Sequence, residues 1–108
     1  MTNIEGIKVV HAIPGRLRLK ISRMRRNSVL AAEVQKRLSS IQAIQQVVAN
    51  PLTGSVLLLY DPKEIFSPGT LGLLLEALSS LFPEFAPEDI KDWLDALSRE
   101  FEPQGSVH

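Results

Sequence analysis

The 108 residues are 44% apolar and 22% charged, the make-up of one folded domain with a two-layer core and not of a disordered chain. Cysteine is absent, which excludes disulfides, thiolate catalysis, zinc ribbons, iron–sulfur clusters and Cys-based copper sites. The net charge of zero hides a polarity. Up to Tyr60, nine Lys/Arg (Lys8, Arg16, Arg18, Lys20, Arg23, Arg25, Arg26, Lys36, Arg37) stand against Glu5 and Glu33, whereas ten Asp/Glu stand against Lys63, Lys91 and Arg99 after it.

Along the chain, Ile7 to Val10 leads into Ile13-Pro14-Gly15, a bend that aims the segment after it. Arg16 to Ile21 then alternates strictly, which predicts a strand with Leu17, Leu19 and Ile21 on a core face and Arg16, Arg18 and Lys20 on the other. After a basic turn, Asn27 or Ser28 caps a helix carrying Leu30, Val34, Leu38 and Ile41 at helical spacing. Ile44–Ala49 and Ser55–Tyr60 read as a hairpin around Asn50-Pro51-Leu52-Thr53-Gly54. The unbroken run Val56 to Tyr60 predicts a central strand covered on both faces. Ser67-Pro68 opens a helix with Leu71, Leu74, Leu75, Leu78 and Phe82, and Pro87-Glu88-Asp89 opens another with Ile90, Trp93, Leu94, Leu97 and Phe101. Leu71 to Phe82, the most apolar segment, is interrupted by Glu76, Ser79 and Ser80 and falls short of the ~20 residues that cross a bilayer. The N-terminus carries no basic stretch followed by an apolar run, so a cytoplasmic product is expected.

Strand, helix, strand, strand, helix, helix is the order of an α+β, ferredoxin-like two-layer sandwich with an extra C-terminal amphipathic helix. Its fourth strand is missing or vestigial, because the one stretch left for it, Glu84-Phe85-Ala86, is bracketed by prolines. The expected division is a domain over 1–83, the amphipathic helix over 84–102 and a flexible tail over 103–108. With the fourth strand gone, the Arg16–Ile21 strand would be an edge. The last helix would cover the outer side of the sheet, on its own chain or across a symmetric dimer.

His11-Ala12-Ile13-Pro14-Gly15-Arg16-Leu17-Arg18, then Val48-Ala49-Asn50-Pro51-Leu52-Thr53-Gly54-Ser55-Val56 ending at Tyr60-Asp61-Pro62, resembles the cysteine-less heavy-metal-associated domains. Such domains occur at the N-termini of some bacterial heavy-metal-transporting P-type ATPases and as small free-standing proteins. Metal-carrying members of the wider family place Met-x-Cys-x-x-Cys in the loop after the first strand. Here that loop is Ser22-Arg23-Met24-Arg25-Arg26-Asn27, which offers a soft cation one thioether and three guanidinium groups. The resemblance therefore implies the fold without the metal cargo.

His11 stands without a second His or Cys near it and reads as structural. Arg23 or Arg25 with Asn50 faintly echoes the arginine–asparagine pair of acylphosphatases, but the phosphate-cradling glycine loop is lacking, and no catalytic constellation is visible. The basic stripe Arg16, Arg18, Lys20 with Arg23, Arg25 and Arg26 would suit RNA only with aromatics on the sheet, and the stripe has none. The expectation is a non-catalytic, cofactor-free and metal-free protein-interaction or regulatory module. Arg16, Arg18, Lys20, Arg23, Arg25, Arg26, Trp93, Leu94, Leu97 and Phe101 would touch the partner, a second copy in a homodimer or a membrane transporter. The alternative is a basic surface for nucleic acid or an anionic membrane.

Overall fold

The computed structural model describes residues 4–100. Its elements are β1 (Ile7–Ile13), β2 (Arg16–Ile21), α1 (Ser28–Ser39), β3 (Ile44–Asn50), β4 (Ser55–Tyr60), α2 (Pro68–Leu81) and α3 (Pro87–Glu100), with a 3-10 turn at Ser22–Met24. The four strands form one antiparallel sheet in the order β1-β2-β4-β3. Two hairpins, β1–β2 and β3–β4, meet along the β2–β4 seam, and α1 carries the chain from β2 over to β3. This is the split βαβ unit of an α+β, ferredoxin-like sandwich.

The turns follow from their residues. Pro14 and Gly15 connect β1 to β2, and Gly15 takes φ +86°, a left-handed value that costs an ordinary residue but not glycine. In the β3–β4 turn the Asn50 side chain accepts from the Leu52 amide at 3.0 Å, and the Gly54 amide closes back on the Asn50 carbonyl at 2.9 Å. Asn27 caps α1, its Oδ1 accepting from the Leu30 amide at 3.0 Å. Pro68 sits in the first turn of α2, where its missing amide donor costs nothing.

The N-terminal hairpin is the main departure from the sequence-based expectation. Ile7–Ile13 is a full strand, with Ile7 and Val9 buried opposite Ile21 and Leu19. Among the described residues no strand follows β4: Glu84-Phe85-Ala86 lies in the turn between α2 and α3, and Phe85 lies over Gly6. The place beside the split unit is filled from the other end of the chain. Arg16–Ile21 is therefore an inner strand and not an edge, which removes edge protection as the reason for its basic residues.

All three helices lie on one face of the sheet. Trp93, Leu94 and Leu97 of α3 face the same apolar interior as Leu17, Leu19 and Ile21 of β2 and Leu74 and Leu78 of α2. The expected position of α3 on the outer side of the sheet is thus corrected. The inner faces of β1 and β2 offered a larger apolar surface than the cation-bearing outer side, and burial of apolar area decides. A second copy is not needed to cover the apolar side of α3. Val56 to Tyr60 is corrected as well, since Val56, Leu58 and Tyr60 are buried while Leu57 and Leu59, facing outward, are only half-buried.

Candidate interaction surface

Among the described residues no helix lies on the outer face of the sheet, and its register assembles a patterned surface. Reading across the strands, one row runs Lys8, Lys20, Ser55, Asn50, the next His11, Arg18, Leu57, Val48, and the third Ile13, Arg16, Leu59, Gln46. A bulge between Val9 and His11 brings His11 opposite Arg18 on this side. Two bands result. A cationic band follows β1 and β2 through Lys8, Arg16, Arg18 and Lys20, and an apolar band follows β4 and β3 through Leu57, Leu59 and Val48.

The four strands contain no Asp or Glu at all. Among the described residues the ion pairs are Arg23–Glu84 and Lys91–Asp95, so the cations of the sheet face have no acidic partner there. The acids of α3 lie across the molecule, behind the inner face. Leu57 and Leu59 are the register partners of Arg18 and Arg16, whose alkyl stems can lie along them while the guanidinium groups stay in water. The one aromatic residue of the strands, Tyr60, points inward, against Phe66 with ring centroids 6.5 Å apart. Burial pushes its hydroxyl above the usual phenol value, against a smaller opposing effect of hydrogen bonding to the backbone at Gly15. The strands place no Phe, Tyr or Trp on this face to stack a base; its one ring is the His11 imidazole.

The loop after β2 belongs to one end of the domain, beside the β3–β4 turn. The Arg26 amide donates to the Pro51 carbonyl at 2.7 Å, with Arg26 itself at φ +59°. Arg25 and Arg26 are exposed, whereas Met24 is fully buried and unavailable as a ligand. Arg23 is committed to its own chain: its Nη1 donates to Glu84 Oε1 at 2.6 Å and ties this loop to the α2–α3 connection. That hydrogen bond holds the Glu84 carboxyl below its ordinary value. A depressed folded value means stability present above the unfolded carboxylate pKa and lost as pH falls through the folded one. Both side chains are largely in water, so the pair is worth at most ~1 kcal/mol. In an NMR pH titration, the Glu84 midpoint is expected to rise to the ordinary glutamate range in Arg23→Ala. An unmoved midpoint would exclude the pairing.

The expected contact residues thus separate into three groups. Arg16, Arg18 and Lys20 come together on the open sheet face, and Arg25 and Arg26 sit at its loop end. Trp93, Leu94 and Leu97 are withdrawn into the core at 4%, 5% and 2% exposure, which corrects their assignment as partner contacts. Phe101, the helix end and the tail 103–108 lie outside the described residues. Sequence reasoning puts apolar positions of the Ser55–Tyr60 strand on the outer side with the cationic strip, but it names none of Lys8, Ile13, Val48, Leu57 and Leu59 as members of the surface. The signal was present in the Val56–Tyr60 run, whose outward positions are apolar although no helix covers them.

Among the described residues no group of three or more His, Cys, Asp or Glu is placed to hold a metal ion, and none of the helices is long and apolar enough to cross a membrane. The family described as Heavy metal associated domain 2 matches residues 1–79. No curated protein and no solved structure matches the chain.

Proposed function

The chain belongs to the Heavy metal associated domain 2 family, and from that premise we propose that it works as a metal-free, non-catalytic interaction module that docks a protein on the open face of its sheet. The observation that carries this reading is the contrast between two places. The loop that would need convergent soft ligands holds three arginines around a buried Met24. The sheet face, in turn, sets cations that have no acidic partner among the described residues beside half-exposed leucines, a combination suited to a protein contact. His11, the one imidazole of the described residues, lies on β1 opposite Arg18, three residues along the ladder from Ile21, the end of β2 that feeds the loop. It cannot complete a ligand pair there.

Calorimetric titration with Cu(I), Zn(II) and Cd(II) is expected to show no stoichiometric complex of submicromolar affinity. A complex of that kind, abolished by His11→Ala, would overturn the metal-free reading. Retention on DNA should stay at background in wild type and in the Arg16→Ser/Arg18→Ser/Lys20→Ser variant alike. Binding to DNA that falls steeply with salt and is lost in the triple variant would replace the protein contact with a phosphate contact.

A further inference from the structure

We propose that the partner seated on the sheet face is an amphipathic helix with an acidic flank, lying along β2 and β4 with its apolar stripe on Leu57, Leu59 and Val48 and its carboxylates on Arg16, Arg18 and Lys20. This deepens the interaction-module reading and rests on it.

Three observations select that occupant. The first is charge: the face carries Lys8, Arg16, Arg18 and Lys20, its strands carry no acid, and none of the four has an ion-pair partner among the described residues. A complementary ligand is therefore anionic. The second is the division into two bands. The cations lie on β1 and β2 and the apolar residues on β4 and β3, so an occupant that satisfies both must straddle the β2–β4 seam. Neighbouring strands are about 4.8 Å apart, which makes an added strand at the β1 edge too narrow and too distant to reach Leu57. A helix with side chains is about 10–12 Å across and fits. The third is spacing. Arg16, Arg18 and Lys20 recur roughly every 6.6 Å along β2, and acids one helical turn apart recur at roughly 5.4 Å, so three such pairs keep step over one short helix.

The same observations weigh against the other anionic surfaces. A nucleic acid would leave the leucine band unused and find no Phe, Tyr or Trp of the strands to stack on, only the His11 imidazole. A bilayer would be met by the most projecting apolar side chains, and these are Leu52 at 81% and Val29 at 74% exposure, outside the sheet face, while Val48 is at 45%. The chain's own acidic amphipathic helix, α3, is already spent on the inner face.

The test is fluorescence anisotropy with the intact protein and a labelled helical peptide bearing a Leu stripe flanked by Glu, against the same peptide with Gln for Glu. Micromolar binding of the acidic peptide is expected, weakened roughly tenfold or more by the triple Ser variant, by Leu57→Gln/Leu59→Gln and by the Gln peptide. Circular dichroism of both variants should show the wild-type fold. Equal binding of the two peptides, or binding untouched by either variant, would overturn the helix. Preference for single-stranded DNA or phosphatidylserine vesicles would overturn it together with the interaction-module reading. Peptide binding to none of these, with a concentration-dependent dimer that Leu57→Gln/Leu59→Gln dissolves, would overturn this proposal alone and leave the module reading in place.

Discussion

Trp93→Ala is expected to lower the melting temperature by roughly 15–30 °C. The family match ends at residue 79, before α3 begins at Pro87, so α3 looks dispensable by that measure. Packing says otherwise. Trp93 is 4% exposed and shares an apolar interior with Leu17 and Leu19 of β2 and Leu78 of α2. Emptying a site of that size costs ~3–5 kcal/mol, against a whole-domain stability of ~5–15 kcal/mol. Each kcal/mol moves the midpoint of a domain this size by ~4–8 °C. Lys91→Ala, on the exposed side of the same helix, should stay within about 0.5 kcal/mol of wild type. Because α3 is buried against its own chain, the loss should also be independent of protein concentration. A Trp93→Ala protein melting alongside wild type, or a loss that shrinks on concentration, would refute the intramolecular core.

Gly54→Ala should be the most damaging glycine substitution, lowering stability by roughly 2–3 kcal/mol. Gly54 has φ +73°, and a Cβ there would lie 3.0 Å from the Ile21 carbonyl oxygen and 3.3 Å from the Arg25 Cβ. The carbonyl is backbone, fixed by β2, and the Ile21 amide already donates to the Gly54 carbonyl at 2.8 Å. Strain and crowding therefore add. Gly72→Ala, in α2, meets nothing within 4 Å and should stabilise by roughly 0.5–1 kcal/mol, since alanine suits a helix interior and restricts the unfolded chain. Chemical denaturation of the two variants reads the opposite signs directly. A Gly54→Ala midpoint at or above wild type would show that the turn is not built on that close approach.

Most elements were legible because their periodicities are strong. The alternation of Arg16 to Ile21, the Asn27 cap and the Ser67-Pro68 start all reappear in the structure. The first strand escaped because Ile7-Lys8-Val9 alternates for only three residues before the bulge breaks the period at Val10. Without β1, Arg16–Ile21 reads as the edge strand and the outer face as the surface left for α3. The site was half legible. Arg16, Arg18 and Lys20 were visible as a face from β2 alone, but Leu57 and Leu59 join them only through the β2–β4 register, a long-range pairing that no local pattern encodes. The amphipathic character of α3 is legible in its own residues, whereas the surface it covers depends on the placement of β1.

The placement of β1 ahead of the split unit also bears on how the chain reaches this fold. Both outer strands of the sheet belong to local hairpins, β1–β2 across Pro14-Gly15 and β3–β4 across a short turn, and loops of that length close in microseconds or less. One strand pairing, β2 with β4, joins distant parts of the sequence. A ferredoxin-like sheet completed by a C-terminal strand needs two such distant closures. Moving the outer strand to the front leaves a single seam to form, which lowers the mean sequence separation of contacts and should speed folding accordingly.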